Sequence, residues 1–74
     1  MSSFKINSDK LRGLITEKRK NYKECAEAIG ISITQFGMKV RGEADFWVNE
    51  AYKLAKFLEL TADEFFAVFY PGLY

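Results

Sequence analysis

Three times in this chain a small polar residue stands three positions ahead of Glu or Gln: Asn21 and Glu24, Ser32 and Gln35, Thr61 and Glu64. With that spacing the first side chain can accept from the backbone of the fourth residue while the fourth side chain reaches back. Two of the amides that every helix start leaves open are thereby satisfied. Helix endings are marked too. Gly30 and Gly42 each follow a helical stretch, and the only proline, Pro71, stands near the C-terminus, so nothing breaks a helix in between. No segment of useful length alternates polar and apolar residues with period two. The pattern predicts an all-α chain of five short helices.

Periodicity places them. A first helix is expected over about Ser8 to Arg19, with Ser8 as its cap and Asp9 at its positive end. Lys18, Arg19 and Lys20 suit the other end, and Leu11, Leu14 and Ile15 turn inward. The second helix opens at the Asn21 box, buries Cys25, Ala26 and Ile29, and stops at Gly30. The third opens at the Ser32 box, buries Phe36 and Val40, and ends at Gly42. A fourth runs from around Trp47 to Leu58 on Ala51, Leu54, Ala55 and Leu58, capped by either Trp47 or Asn49. The fifth follows the Thr61 box through about Phe69.

A length of 74 residues leaves room for one domain, 1–74, since single cores below about 80 residues are near the limit of independent stability. Hydrophobic residues make up 49% and aromatics 16%, which argues for a packed core and against a disordered tail. Cys25 is alone, so no disulfide and no Cys-rich metal site can form within one chain, and a reducing, cytoplasmic setting is expected. The longest apolar stretch, Phe65 to Tyr70, is too short to cross a bilayer, so no membrane partner is expected. There is no His, no Ser/His or Cys/His set and no Gly-rich phosphate loop, and the acids are scattered. A non-enzyme without metal or cofactor is expected.

A net charge of +1 hides an asymmetry. Residues 1–42 hold nine Lys/Arg against four Asp/Glu, a net of +5, and residues 43–74 hold two against six, a net of −4. Only the first part is suited to face a polyanion.

Within that part, Ala26, Gly30, Ile31 and Phe36 have the spacing of a helix-turn-helix over about residues 21–42. Ala26 lets two helices approach, Gly30 can take the positive φ of a tight turn, and Ile31 and Phe36 fill the angle between the helices. Once Phe36 and Val40 point inward, the outward stripe of the third helix is Ile33, Thr34, Gly37, Met38 and Arg41.

On these residues the chain resembles the Cro/C1-type, lambda-repressor-like (XRE-like) helix-turn-helix regulators of phages and prophages. The likeness runs from LRGLITEK through NYKECAEAIGIS and TQFGMKVRGEADF to AYKLAKFLEL and TADEFF. It implies a lambda-repressor-like fold and action as a DNA-binding transcriptional regulator in the cytoplasm of a bacterial host cell, often as a homodimer. The third helix would lie in the major groove of double-stranded DNA. Carried over position by position, the DNA-facing residues are Tyr22 and Lys23 at the start of the second helix and Ser32, Ile33, Thr34, Gln35 and Met38 on the third. Lys39 and Arg41 would add phosphate contacts.

The chain also departs from that pattern. Tyr22, Ile33, Gly37 and Met38 stand where members commonly carry Gln, Arg, Ser or Asn, and Glu43 stands where a basic residue is common. Apolar side chains there can touch thymine methyls but form none of the hydrogen bonds that distinguish bases. An alternative expectation follows: an antirepressor or modulator that keeps the fold and binds a partner repressor protein. The aromatic tail, about residues 65–74, holds more rings than one helix face buries, and Phe66, Phe69, Tyr70 and Leu73 are its candidates for a dimer or protein contact.

Overall fold

The computed structural model describes residues 6–73, with Leu73 described by its backbone alone. Five helices follow one another: α1 Ser8–Glu17, α2 Tyr22–Ile29, α3 Ile33–Val40, α4 Val48–Leu58 and α5 Ala62–Phe69, with a single 3-10 turn at Pro71–Leu73. No strand occurs among the described residues. The all-α class and the helix count match the reading of the sequence.

The start of α1 differs from it in an instructive way. Asn7 is the cap, accepting from the Lys10 N–H at 3.1 Å, and the Ser8 hydroxyl instead donates to the carbonyl of Val40. Ser8 therefore ties the start of α1 to the end of α3. Arg19 falls outside the helix, with its backbone left-handed at φ 61°.

One kind of turn is used three times. Between α2 and α3, Gly30 sits at φ 81°, and the N–H of Ile31 donates back to the carbonyl of Ala26 at 3.0 Å. Ser32 then opens α3, accepting from the Gln35 N–H at 3.1 Å while its own N–H donates to Gln35 Oε1 at 3.2 Å. Between α1 and α2 the same roles fall to Arg19, Lys20 and the Asn21–Glu24 box. Between α4 and α5 they fall to Glu59, Leu60 and the Thr61–Glu64 box. Each turn closes orphan carbonyls of one helix and orphan amides of the next within three residues. The α3–α4 connection is longer. Gly42 turns left-handed at φ 84°, and Trp47 caps α4 only through its backbone, whose N–H meets Glu50 Oε1 at 3.0 Å, because an indole has no acceptor to offer.

These elbows fold the apolar stripes onto one another. α2 packs on α3 and α4, and α1 packs on α3 and α5. Phe36 lies at the centre with no exposed surface, among Leu11, Leu14, Leu54, Leu58 and Val40. Its ring meets the edges of Tyr22 at 5.2 Å and Phe46 at 6.0 Å, and Phe46 in turn meets Phe69 at 5.5 Å, edge-to-face contacts of the kind aromatic quadrupoles favour.

That ring series corrects one expectation about the tail. Phe69 is 6% exposed and belongs to the core. The cause is the docking of α5 on α1, where the Asn7 N–H donates to the Val68 carbonyl at 2.8 Å; this turns Val68 and Phe69 inward and leaves Phe66 outside. Cys25 is fully buried, and burial, reinforced by the neighbouring Glu24 charge, pushes its thiol up to about 11, so it stays protonated and inert at neutral pH. No helix among the described residues is long and apolar enough to cross a membrane.

Candidate functional site

The elbow at Gly30 decides which side chains of α3 see solvent. Because Phe36 and Val40 are anchored in the core, the first turn of α3 stands out from the body, with Ile33 52% exposed and Thr34 and Gln35 exposed beside it. Met38, one turn further on, is half-buried. Ser32 is exposed but committed to its capping role, as is the Gln35 carbonyl oxygen, which leaves Gln35 its amide donors. At the start of α2, Lys23 is exposed, whereas Tyr22 is half-buried with its ring against Phe36. The structure therefore brings Lys23, Ile33, Thr34 and Gln35 out together and draws Tyr22 partly into the core.

Lys39 is the clearest correction among the proposed phosphate contacts. It is buried, its ammonium 2.5 Å from Glu50 Oε1, with the two side chains 11% and 13% exposed. Position 39 borders Phe36 on the helical circumference, on the side away from Val40 and toward the start of α4, so its stem runs along the edge of the core, and the Glu50 carboxylate is what makes that tolerable. Glu50 thus serves twice, binding Lys39 and closing the start of α4 on the Trp47 N–H. Gly37, expected on the open stripe, is buried as well.

Arg41 is exposed but occupied. Its Nε donates to Glu43 Oε2 at 2.9 Å and its Nη2 to Glu43 Oε1 at 3.3 Å, a forked pair that holds the Glu43 carboxyl below the usual carboxylate range and raises the guanidinium further. Other cations of the basic part are turned toward the acidic part. Lys18 lies 3.5 Å from Glu64, and the Lys20 ammonium sits 5.0 Å from the centre of the Phe57 ring. Arg12 pairs with Asp9. Among the described residues Lys10, Arg19 and Lys23 enter no ion pair. The sequence asymmetry is thus partly cancelled by folding.

Away from α3 the surface carries large apolar side chains that the sequence reading did not single out: Trp47 at 69% exposed, Val48 at 83% and Tyr52 at 61%. Val48 and Tyr52 are four residues apart on α4, a signal present in the sequence, but Val48 also falls in phase with the inward Ala51 and Ala55. Within that first turn the core takes up Ala51 but not Val48, which only the packed structure shows. Phe66 is exposed at the rim of a groove between α4 and α5 of about 340 Å³, lined by Tyr52, Ala55, Leu60 and Phe65. Of the other tail candidates, Tyr70 is half-buried and the Leu73 side chain lies outside the described residues. No cluster of three or more His, Cys, Asp or Glu that could hold a metal occurs among the described residues.

Compared with known proteins, the chain matches no family model and no curated protein.

Proposed function

We propose that this chain is a small DNA-binding transcriptional regulator of the Cro/C1 type it resembles, with a lambda-repressor-like fold and α3 as the element that enters the major groove of double-stranded DNA. The observation that carries the reading is the division of α3: Phe36 without exposed surface, and Ile33 and Thr34 one turn away in solvent, held apart by the left-handed Gly30 elbow. Thr34 and the Gln35 amide supply hydrogen bonds to base edges, Ile33 and Met38 meet thymine methyls, and Lys23 and Arg41 meet phosphates. Lys39 is withdrawn from this set. With so few base-bonding groups, a large part of the affinity is independent of sequence and sensitive to salt. In a homodimer formed through Phe66 and its groove, two such helices would address half-sites roughly 34 Å apart.

Fluorescence anisotropy with duplexes from the neighbouring intergenic region and with random duplex, each at two salt concentrations, tests this. Retention of random duplex at low salt, with one region bound more tightly, is the expected result. Absence of retention for every duplex at low salt refutes the reading.

Trp47, Val48 and Tyr52 favour a second reading, a modulator that binds a partner repressor protein through α4. Lys23→Ala with Arg41→Ala, set against Val48→Glu with Tyr52→Glu, separates the two. Loss of DNA retention from the first pair supports the regulator; loss of a repressor partner from the second pair, in a protein indifferent to DNA, supports the modulator.

A further inference from the structure

Three residues at the exit of α3 form one arrangement. Arg41 lies just past the last turn, and one edge of its guanidinium fork is taken by both carboxylate oxygens of Glu43, at 2.9 and 3.3 Å. The other edge lies along the helix: a Cβ placed on Gly37 would come within 3.2 Å of Arg41 Nη1. Glycine in a helix interior is unfavourable. Here its missing side chain leaves the guanidinium room to lie against the helix, and Gly37 is buried.

A carboxylate and a phosphate offer a guanidinium the same pair of oxygens, so Arg41 cannot present its Glu43-bound edge to both. We propose that Glu43 is an intramolecular rival of the DNA backbone for Arg41, so that Arg41 becomes a phosphate contact only where a phosphate displaces the carboxylate; this rests on the DNA-binding reading above. The pair is open to water, its side chains 51% and 55% exposed, and exposed ion pairs are weak, so a closely approaching phosphodiester can break it. The cost of breaking it lowers affinity for every duplex alike. It also lowers the salt dependence, because a cation already neutralised by Glu43 releases no counter-ion charge when it changes partner. Lys39, the neighbouring cation on α3, cannot compensate, since it is held by Glu50. Glu43 remains ionised well into the acid range, so the rivalry is present at neutral pH.

The test is a cycle of four proteins, the wild type, Glu43→Gln, Arg41→Gln and the double variant, titrated against a random duplex by fluorescence anisotropy over a range of salt. Both side chains are exposed, and thermal melts that overlay the wild type establish that the fold is kept. Glu43→Gln should tighten binding about 2- to 5-fold at the lowest salt, the range an exposed ion pair represents, and steepen the log–log salt slope by about 0.9, one phosphate's worth. Arg41→Gln alone should change affinity less than about 2-fold, and in the double variant it should abolish the gain. An equal gain from Glu43→Gln with and without Arg41 would mean simple repulsion of DNA by Glu43 and would overturn the proposal, as would no gain. If the wild type binds and Lys23→Ala weakens it while Glu43→Gln does nothing, the DNA-binding reading stands and the rivalry fails. If none of the four proteins retains duplex, both fall.

Discussion

The turn from α2 into α3 and the turn from α4 into α5 are hydrogen-bonded alike, and a ring follows each at the same distance, Phe36 four residues after Ser32 and Phe65 four residues after Thr61. Their surroundings differ. The first elbow uses Gly30 for its left-handed residue, while the second forces Glu59 into the same region at φ 55°. The first leads into a helix that opens with Ile33 and Thr34, in the basic part of the chain; the second leads into Ala62, Asp63 and Glu64, in the acidic part of the chain. An elbow that projects a helix is therefore a structural device this chain repeats, and the charge and polarity of the projected turn decide which copy can approach a polyanion.

Phe36→Ala breaks the first elbow most severely: it should cost about 3–5 kcal/mol, the range for deleting a fully buried ring. Phe65→Ala, at the matching but half-buried position, should cost about 1–2 kcal/mol. Urea denaturation of both variants measures the difference, and equal losses would erase the distinction between the elbows.

Next in size is the anchor that follows the first elbow and has no counterpart after the second. Lys39→Ala leaves Glu50 nearly buried without its partner and should cost about 3 kcal/mol, whereas Lys39→Met combined with Glu50→Gln, which removes both charges and keeps an acceptor for the Trp47 N–H, should cost about 1 kcal/mol or less. The same denaturation series reads both. An equally large loss from the double variant would show that the pair stabilises the fold through its charges and that Lys39 is not chiefly the partner Glu50 requires.

What could be read from the sequence follows from the range of each interaction. Caps and left-handed glycines act over three or four residues, so Asn21, Ser32, Thr61, Gly30 and Gly42 announced their helices directly. The fate of Lys39 depended on Glu50, eleven residues on and in another helix. Its position beside Phe36 lies at the edge of the inward stripe, and a lysine there reads as solvated until its partner is known. Phe69 was ambiguous for a similar reason: with rings at 65, 66, 69 and 70, the inner face is fixed only when α5 meets α1. Glu43 was legible as an obstacle to phosphate, but its grip on Arg41 depends on how the chain leaves α3 at Gly42.

The left-handed residues sharpen the comparison with smaller effects. Gly30→Ala should lose about 1–2 kcal/mol, because a Cβ is strained at φ 81°. Glu59→Gly should gain about 0.5–1 kcal/mol, relief of that strain less the added chain entropy of glycine. Opposite signs in thermal melts are the expected result.

The smallest difference is in pH dependence. The Glu64 carboxyl is held below its ordinary range, first by the Thr61 backbone N–H and then by Lys18. A lowered folded-state value means that its contribution is fully present above the ordinary glutamate range and is lost as pH falls through the lowered value. Gln35, its equivalent in the first elbow, does not titrate. Amide exchange at Thr61 should therefore accelerate between neutral and acid pH relative to exchange at Ser32, after correction for intrinsic rates; parallel behaviour would contradict the assignment.

The most direct test of the central claim is to add random duplex DNA to the isotopically labelled protein at low salt and follow every backbone amide by NMR. Shifts concentrated at Lys23, Ile33, Thr34, Met38 and Arg41, with Ala62 to Glu64 unmoved, are what the account predicts. Shifts centred on α4 and α5, or none anywhere, would contradict it.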